Sequence, residues 1–405
     1  MTEPIKVSVI LTSYNHAKYL REAIDSVLQQ TFRDFELIIW DDASIDESWQ
    51  IITSYTDPRI QIFRNETTKR IEYLRTAISE IANGEYIAIH HSDDVWEPQK
   101  LEKQVAFLDA NPQIGAVFTQ AQIINEDGRP LQDPNHFYYK IFEQPNRTRH
   151  EWLNFFFYQG NALCHPSVLI RKLCYEKCGL YRYGLAQSPD FDMWVRLCLK
   201  YEIHVLPEKL VRFRVRSLEA NTSGNRPEVR ARGQFEYLQV QTNYTELATF
   251  EELKQVFPTA EKYARAGGED LGFILGMVAL ETKSYKFTEL FGLNLLFEAL
   301  NDPRRANKIK ELYNFTQNDF ILLTGKHDVF SKLWIEELTI RVAGTESLKL
   351  QVAERDARLY EIINSKAWKV GLLFRRIRIL LIPPHSLRDR ILRKFLSVGL
   401  PYLRK

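Results

Sequence analysis

The sequence lacks any long uninterrupted apolar run and has little cysteine. In 405 residues no stretch approaches the roughly 20 apolar residues of a membrane-spanning helix, so an integral membrane protein is not expected. The first residues, MTEPIKVSVI, lack the basic flank and long apolar core of a secretion signal. The four cysteines all lie within residues 164–198 and form no CxxC pair, which favours free thiols in a reducing cytosol.

The chain also lacks an overall excess of either charge. Its 54 basic and 52 acidic side chains leave a formal net charge of +2. This balance hides a local excess, because residues 365–405 contain eleven Lys or Arg against the single acid Asp389. The length and the 45% apolar fraction predict about two folded units with a real core in at least one.

The first half of the chain alternates β-rich runs with segments whose apolar residues recur at helical spacing. The predicted strands include KVSVIL, FELIIW, RIQIF, EYIAIHH and IGAVFTQAQII. This alternation predicts an α/β fold with a mainly parallel sheet flanked by helices. After the polar segment 217–228 the pattern becomes mainly helical. We therefore predict a first domain at 1–227, a helical domain at 228–344, and a charged helix with a basic amphipathic segment at 345–405.

Local patterns predict three further features. Ser44 is placed to cap a helix whose first turn holds Asp46 and Glu47. Gly84 is placed to stop the helix that precedes EYIAIHH. The run ALCHPSVLI, residues 162–170, has the composition of a strand.

Polar clusters follow three of the predicted strands, at residues 12–15, 41–42 and 92–94. Because the carboxyl ends of parallel strands lie along one edge of the sheet, these clusters are expected to meet in space. Adjacent aspartates repel each other, and a bound divalent cation with oxygen ligands would satisfy them and indicate a phosphate-bearing partner. Each pair alone could be a turn or a helix cap, and the coincidence of three clusters favours a site.

Two adjacent histidines, His90 and His91, precede the second pair of aspartates. They could indicate a transition-metal site. In a strand, however, one side chain points to each face, so ordinary hydrogen bonding is the favoured role and zinc is not expected.

The ordered motifs resemble those of the family 2 glycosyltransferases, which are inverting enzymes with the GT-A fold. The resemblance covers roughly the first half of the chain, through SVILTSYNHAKYLREAIDSVLQQTFRDFELIIWDDASIDES, NGEYIAIHHSDDVWEPQKLEKQ and PDFDMWVRL. It implies a nucleotide-sugar donor, usually a UDP-sugar, and Mg²⁺ or Mn²⁺. It also implies transfer to a carbohydrate or lipid-linked acceptor.

The resemblance assigns the nucleotide site residue by residue. Thr12 and Tyr14 would line the base, with Tyr14 offering its ring face. Asp42 would accept a hydrogen bond from the uracil imide, and Asp41 lies beside it. Arg75 is a candidate cation for the donor, and Lys69 and Arg70 are further candidate cations beside the diphosphate. For each of these three residues, solvation on a helix surface is the favoured role.

The resemblance also assigns the acidic centre. Asp93 and Asp94 match the metal and diphosphate motif. Many relatives have another aspartate two residues before Asp93, where this chain has His91. That difference leaves the affinity for the cation and the choice of ion open.

Asp190 in SPDFDMW matches the position of the general base in the resembled family. Its place at a predicted helix start suits an ionised carboxylate. Pro189 stands where family members often have a second carboxylate, and Asp192 is expected to be structural or a cap. Trp96 and His165 are candidate contacts to the acceptor or a phosphate, although packing at a strand end is favoured for both.

Two other functions compete with a transferase. A sugar-phosphate nucleotidyltransferase would need a glycine-rich basic loop, which residues 12–18 do not provide. A non-catalytic, degenerate transferase scaffold is suggested by His91 and Pro189.

The basic C-terminal segment suggests peripheral membrane contact. Its apolar side chains share one predicted helical face, and Trp368 would lie at headgroup level on an anionic inner membrane surface. Docking of this helix on its own protein is an equally favoured alternative, and no nucleic-acid recognition motif accompanies the charge. The apolar face comprises Val370, Leu373, Phe374, Ile377 and Leu381.

Overall fold

The computed structural model describes the chain except residues 1–4, 134, 218–219, 266–267, 282–284, 383–385, 392–393 and 395–405, and the side chains of residues 377 and 378. The chain forms two compact units, Met1–Val329 and Phe330–Lys405. The first unit holds the sheet and most of the helices. The second is built mainly from two helices.

Within the described residues, one mixed sheet contains eight strands in the order β3-β2-β1-β4-β7-β6-β8-β5. The strands are β1 (Val7–Ser13), β2 (Phe35–Asp41), β3 (Ile60–Arg64), β4 (Tyr86–His91), β5 (Val95–Trp96), β6 (Ile114–Ile124), β7 (Leu169–Arg171) and β8 (Glu202–Arg214). Neighbouring pairs are parallel except where β7 meets β4 and β6, and where β5 meets β8. All strands but β5 and β7 therefore run the same way, which confirms the predicted mainly parallel sheet.

The helices of the first unit cover both faces of this sheet and continue beyond it. They are α1 (Ala17–Leu28), α2 (Ser48–Thr53), α3 (Ile71–Thr76), α4 (Lys100–Ala110), α5 (Tyr138–Ile141), α6 (Arg149–Gln159), α7 (Lys172–Cys178), α8 (Pro189–Cys198), α9 (Pro227–Thr242), α10 (Phe250–Val256), α11 (Leu271–Glu281), α12 (Lys286–Asn301), α13 (Pro303–Tyr313) and α14 (Gln317–Thr324). The chain becomes all-helical at Pro227, next to the boundary predicted from the sequence. The division into separate domains at that point stays a prediction.

Side chains alternate between two hydrophobic cores, one on each face of the sheet, because successive residues of a strand point to opposite faces. Val9 of β1 packs in the core that contains Leu20 of α1 and Leu101 of α4. Ile10, the next residue, packs in the core on the other face. That second core extends from the sheet through α6 and α8 into α9–α13, where Val240 and other apolar residues join it.

Two of the predicted helix signals are wrong in detail. Helix α2 begins at Ser48, not near Ser44, because the Ser44 Oγ accepts a hydrogen bond from the backbone of Asn15 at 2.9 Å. The helix before β4 ends in a π-helical turn at Ile81, so Gly84 is not its stop. Gly84 instead lies where β1 passes closely, since a Cβ there would be 2.3 Å from the Ser8 nitrogen.

The predicted strand at residues 162–170 is also largely wrong. Only its end belongs to β7, and a 3-10 turn at His165–Ser167 precedes that strand. Pro166 accounts for the difference, because proline has no N–H to donate to a sheet ladder. Strand β8 runs from Glu202 to Arg214 as one strand, with register shifts in its pairing with β6.

The second unit contains α15 (Lys332–Asn364) and α16 (Lys366–Leu381). The described side chains of both helices are largely exposed, including Trp368, Leu373 and Phe374. Parts of the predicted basic segment, at 383–385, 392–393 and 395–405, lie outside the described residues, as does the side chain of Ile377. Among the described residues, no helix combines the length and apolar character needed to cross a membrane. All four cysteines carry free thiols, as predicted.

Candidate active site

The three polar clusters meet at the carboxyl edge of the sheet, as the strand pattern predicts. Ser13 of β1 is in register with Asp41 of β2, and Thr12 is in register with His91 of β4. The backbone N–H of Asp42 donates to the Ser13 carbonyl at 2.8 Å. The aspartates after β2 and β4 therefore flank the end of β1 on its two sides.

Asp42 is buried and organises the loop after β3. Its Oδ1 accepts from Asn65 Nδ2 at 2.7 Å and from the Lys69 N–H at 2.8 Å, and its Oδ2 accepts from the Arg70 N–H at 3.0 Å. Arg70 has a φ of 53°, which is rare outside glycine and is typical of functional loops. A carboxylate can accept about four hydrogen bonds, so Asp42 keeps capacity for a ligand.

Asp41 is fully buried beside it. Its Oδ2 accepts from the Ser44 N–H at 3.1 Å and lies 3.4 Å from Arg64 Nε. Its Oδ1 has no hydrogen-bond partner among the described residues. A buried carboxylate oxygen without a partner costs free energy, so this atom is a candidate contact for a ligand or an ordered water.

The other candidate base contacts lie at the same edge. The Thr12 hydroxyl contacts the Tyr73 hydroxyl, whose pKa is raised, chiefly by burial and then by the charge of Asp42. Tyr14 follows β1 and is 48% exposed. Thr12 thus offers a hydroxyl at the carboxyl edge of the sheet, and Tyr14 offers an exposed aromatic ring beside it.

The acidic centre lies at the end of β4. His91, Asp93 and Asp94 each place one potential ligand atom, an imidazole nitrogen or a carboxylate oxygen, within 4.8 Å of those of the other two. Asp94 Oδ1 accepts from the Arg214 N–H at 2.8 Å, while its buried Oδ2 has no hydrogen bond and lies 3.6 Å from His91 Nδ1. Burial, reinforced by the charge of Asp93, raises the Asp94 pKa to about 6.

These three residues fit a divalent cation. The unpartnered Asp94 oxygen is a ready ligand, carboxylate oxygens suit Mg²⁺ and Mn²⁺, and an imidazole nitrogen adds a ligand that suits transition ions. Burial alone would lower the His91 pKa, but contact with Asp94 and the charges of Asp93 and Asp190 raise it. His90 points to the other face, where its ring centre lies 4.4 Å from that of Trp96 with the planes tilted by 38°, so the predicted alternation is confirmed.

Two residues beside this centre were not found from the sequence. Arg216, just after β8, has its Nε 3.4 Å from Asp93 Oδ2, and its Nη1 donates to His16 Nε2 at 2.8 Å. The His16 Nδ1 is hydrogen-bonded to Ser92 Oγ at 2.8 Å. His16 lies within the matched SYNHAKYL motif, whereas Arg216 is one of several arginines in VRFRVR and no spacing singles it out.

Asp190 lies in the first turn of α8, after Pro189 at its first position. Its Oδ2 accepts from Asn161 Nδ2 at 2.9 Å. Surrounding protein raises the Asp190 pKa to about 6, against the opposing effects of the Phe191 N–H and the charge of His91. A carboxyl group with that pKa is ionised at neutral pH yet basic enough to accept a proton.

Helix α9 contacts the segments around Asp190. Glu236 is fully buried, and its Oε1 accepts from the Ala186 N–H while its Oε2 accepts from the N–H groups of Gln187 and Ser188, each at 2.8 Å. The neighbouring Tyr237 lies against the backbone of Gly160, next to Asn161, since a Cβ on Gly160 would be 3.2 Å from its ring. No sequence signal predicts these contacts, because they join a helix to loop backbone far away in the chain.

The remaining candidates have defined positions. Arg75 Nη1 donates to the Tyr181 carbonyl and its guanidinium lies 4.1 Å from the Tyr183 ring centre, so it is not simply solvated. Trp96 is buried and its Nε1 donates to the Pro166 carbonyl at 2.9 Å, which is a packing role.

Three other candidate residues, His165, Lys69 and Asp192, contact other side chains of the protein. The His165 ring lies 5.1 Å from that of His91, and its Nε2 is 2.9 Å from the Tyr181 hydroxyl. Lys69 lies on the surface, with its Nζ 3.5 Å from Glu72. Asp192 is fully buried and pairs with Arg196 at 2.9 Å, in keeping with the predicted structural role.

Comparison with known proteins identifies the family. Residues 8–171 match the sequence model of the family described as glycosyl transferase family 2. An uncharacterised glycosyltransferase of Methanocaldococcus jannaschii is 30% identical over 220 residues, which cover 53% of this chain and 72% of that protein. The chain therefore belongs to glycosyl transferase family 2, and its sheet and flanking helices form the GT-A-type fold expected from the motifs.

Two better-described proteins are also similar. Escherichia coli WfaP, named a UDP-Glc:alpha-D-GlcNAc-diphosphoundecaprenol beta-1,3-glucosyltransferase, is 37% identical over 103 residues, or 25% of this chain and 41% of its own length. The crystal structure of residues 1–349 of S. aureus TarS with UDP-GlcNAc superposes with a TM-score of 0.47 at 18% identity. That superposition covers 76% of this chain and 91% of TarS 1–349.

Proposed function

We propose that this glycosyltransferase is an inverting enzyme that moves a sugar from a nucleotide diphosphate, a UDP-sugar, to an acceptor hydroxyl. The observation that carries the proposal is the acidic centre itself, where ligand atoms of His91, Asp93 and Asp94 lie within 4.8 Å of one another at the carboxyl edge of the sheet. Asp190 lies in the first turn of α8, and its charge is among the causes that raise the His91 pKa. A candidate base and candidate donor ligands thus lie at one edge of the sheet, where α/β folds bind ligands.

In this proposal the nucleotide lies over the ends of β1 and β2. Tyr14 offers its exposed ring to the base, Thr12 lies beneath it, and Asp42 accepts from the uracil imide. Asp41 supports the same wall and presents its unpartnered Oδ1. Arg75, held by the Tyr181 carbonyl and the Tyr183 ring, supplies positive charge for the donor.

Asp93 and Asp94, joined by His91, would hold Mg²⁺ or Mn²⁺. When bound, the cation offsets the negative charge that grows on the departing diphosphate. Asp93 also faces the donor, and Arg216 partly neutralises it at 3.4 Å. The positive charge of Arg216 offsets part of the repulsion between the two adjacent carboxylates.

Asp190 acts as the general base. Its Oδ atoms accept the proton of the acceptor hydroxyl while that oxygen attacks the sugar from the face opposite the diphosphate, which inverts the anomeric centre. The hydrogen bond from Asn161 at 2.9 Å orients the carboxylate. The raised pKa of Asp190 makes it a stronger base than an ordinary aspartate.

The acceptor is a carbohydrate or lipid-linked carbohydrate, and the pathway is cell-surface polysaccharide synthesis. The name of WfaP, which gives a diphosphoundecaprenol-linked sugar as its acceptor, supports this choice. Peripheral contact with the inner membrane face, through exposed Trp368 and Phe374 and the basic residues of α16, would bring the enzyme to such acceptors. Sedimentation with phosphatidylglycerol vesicles, compared with phosphatidylcholine vesicles, tests that contact.

A thermal-shift screen of nucleotide sugars with Mn²⁺ tests the proposed donor. A ligand that binds only the folded chain raises its melting temperature. We expect a UDP-sugar to raise it in a Mn²⁺-dependent way and to be slowly hydrolysed. Binding without hydrolysis or transfer would favour the non-catalytic scaffold instead, and binding of no nucleotide sugar would overturn the proposal.

A further inference from the structure

A cavity of about 460 Å³ opens beside the acidic centre, at the carboxyl ends of β6 and β8. Its volume is within the range of small-ligand pockets. His136 and Tyr138 form an aromatic part of its lining, and Glu126 and Asp127 contribute carboxyl groups. Arg216 lines the same cavity and contacts Asp93, so the cavity adjoins the proposed diphosphate site.

The wall of this cavity is held by internal hydrogen bonds. Asn125 Oδ1 accepts from the N–H groups of Asp127 and Arg129, each at 3.0 Å. Asn221 Oδ1 accepts from the Arg216 N–H at 2.8 Å. Because these side chains fix the loops after β6 and β8, the cavity is formed before any ligand arrives, as is usual for binding sites.

The two rims of the cavity also touch each other. The Tyr138 hydroxyl is hydrogen-bonded to Ser223 Oγ, which joins the start of α5 to the loop after β8. The His136 and Tyr138 rings stack with centres 5.7 Å apart and planes inclined by 29°. These contacts hold the aromatic surface in one orientation.

The chemistry of the lining favours a neutral, hydroxyl-rich ligand. Carboxylates repel phosphate, and they accept hydrogen bonds from hydroxyl groups. Glu126 is committed to the protein, since its Oε1 accepts from both the N–H and the hydroxyl of Ser217, each at 2.9 Å. Asp127 is exposed, and it supplies acceptor oxygens beside the aromatic rings. Aromatic faces with a few placed polar groups are the common lining of such pockets.

The cavity is also connected to Asp190. Tyr138 is one of the groups whose charge would act on the Tyr237 hydroxyl. The Tyr237 ring lies against the backbone of Gly160, since a Cβ there would be 3.2 Å from it, and the side chain of the next residue, Asn161, donates to Asp190 at 2.9 Å. A ligand in the cavity is therefore flanked by the acidic centre at Arg216 and by the Asp190 network at Tyr138.

We propose that this cavity binds the neutral sugar ring of the acceptor, with the packed His136 and Tyr138 rings as its aromatic wall and Asp127 as a hydrogen-bond acceptor. The inference rests on the proposed function, which supplies the reason for a sugar to bind beside a donor site. The transferred sugar of the donor has the same chemistry and is the competing occupant, so the experiment separates the two sources.

Binding is measured on the full chain by saturation-transfer NMR with methyl β-D-glucopyranoside, methyl N-acetyl-β-D-glucosaminide and glucose 1-phosphate. We expect a neutral glycoside to bind, and Tyr138→Ala to weaken its binding about tenfold. Asp127→Asn, an exposed change that does not threaten folding, should weaken it about threefold through loss of one hydrogen-bond acceptor. Tyr139→Ala is the matched control, because Tyr139 is an exposed aromatic residue next to Tyr138 in α5 and is not part of the lining.

Turnover with a UDP-sugar and the octyl glycoside of the bound sugar distinguishes acceptor from donor. The proposal predicts that Tyr138→Ala and Asp127→Asn raise the acceptor KM far more than the donor KM. A rise in donor KM alone would assign the cavity to the donor and overturn the inference. Equal glycoside binding in all variants, or preferential binding of glucose 1-phosphate, would also overturn it. Glycoside binding without turnover of any nucleotide sugar would leave the cavity a sugar site while contradicting the proposed function.

Discussion

The carboxylate of Glu236 accepts a hydrogen bond from the backbone N–H of Ser188 at 2.8 Å, two residues before Asp190. Glu236 lies on α9, beyond the residues that match the family, and Asp190 lies on α8. Because the same carboxylate also holds the N–H groups of Ala186 and Gln187, the loop that leads to the proposed base is tied to α9 at three points. Glu236 is thus a positioning residue for that base.

Replacing the Glu236 carboxylate should slow sugar transfer without lowering the affinity for the donor. Glu236→Gln turns one acceptor oxygen into an NH₂ group facing backbone N–H donors, so we expect kcat to fall about tenfold or more through misplacement of Asp190. Tyr237→Phe, which removes only the hydroxyl that lies beside the Gly160–Asn161 backbone, should lower kcat in the same direction. Steady-state kinetics and calorimetric donor titration measure the two effects.

Glu228→Gln provides the control for this experiment. Glu228 is exposed in the first turn of the same helix and pairs only with nearby Arg226 among the described contacts. We expect its kinetics to match those of the unaltered chain. Unchanged kcat in both Glu236→Gln and Tyr237→Phe, or equal losses of donor affinity and kcat, would contradict a positioning role.

The first half of the site could be predicted from the sequence because its signals are local. Strands β1, β2, β4 and β6 are continuous apolar runs, and the polar residues after them fall at one edge of any parallel sheet. Asp190 was found through a short motif at a helix start. Roles for these residues remain proposals, but their neighbourhood follows from the strand order.

The rest of the site could not be predicted because it depends on distant contacts. Arg216 reaches Asp93 across more than a hundred residues, and nothing in VRFRVR separates it from its neighbours. Helix α6 was missed because the consecutive aromatic residues 155–158 hide the buried stripe of Trp152, Leu153, Phe156 and Phe157 within RHEWLNFFFYQ. Ser44 and Gly84 carried ordinary cap signals that tertiary contacts overrode.

The acidic centre should control cation-dependent donor binding. Asp94→Asn removes a buried charge whose Oδ2 is free of hydrogen bonds and faces His91. We expect it to weaken Mn²⁺-dependent UDP binding about tenfold or more, because the residues around the site cannot replace the lost carboxylate as a ligand of the cation. Calorimetry with UDP, in Mn²⁺ and after treatment with a chelator, gives the measurement. Asp133→Asn, at an exposed site, is the control, and equal Mn²⁺ dependence in the two variants would rule out the assigned ligand role.

The rate of transfer should fall in mild acid. The Asp190 pKa is raised to about 6 by burial, and the base must be ionised to accept a proton. Above that pH the carboxylate is charged and active, and below it the rate should fall about tenfold per pH unit. A kcat profile between pH 5 and 8, with donor saturation checked at each point, records this limb. A limb near pH 4, the ordinary range of an aspartate, would contradict the assignment.

Gly84 should be needed for the close approach of its loop to β1. In Gly84→Ala the new Cβ would lie 2.3 Å from the Ser8 nitrogen and 2.7 Å from the Val7 carbonyl carbon. Because backbone rather than a flexible side chain must move, we expect the free energy of unfolding to fall by about 1–3 kcal/mol. Gly233→Ala is the control, since nothing lies within 4 Å of its added Cβ and α9 should gain slightly from alanine. Chemical denaturation compares the two, and equal stability would show that the approach is not tight.

The central claim is that Asp190 is the base of a site whose donor is held by other residues, and the Asp190→Asn variant tests it most directly. Donor affinity and turnover are measured on the same preparation, with a UDP-sugar, Mn²⁺ and an acceptor glycoside. The account predicts donor affinity within about twofold of the unaltered chain and a loss of about 10²–10⁴-fold in kcat. Transfer at an undiminished rate, or loss of donor binding in step with activity, would contradict it.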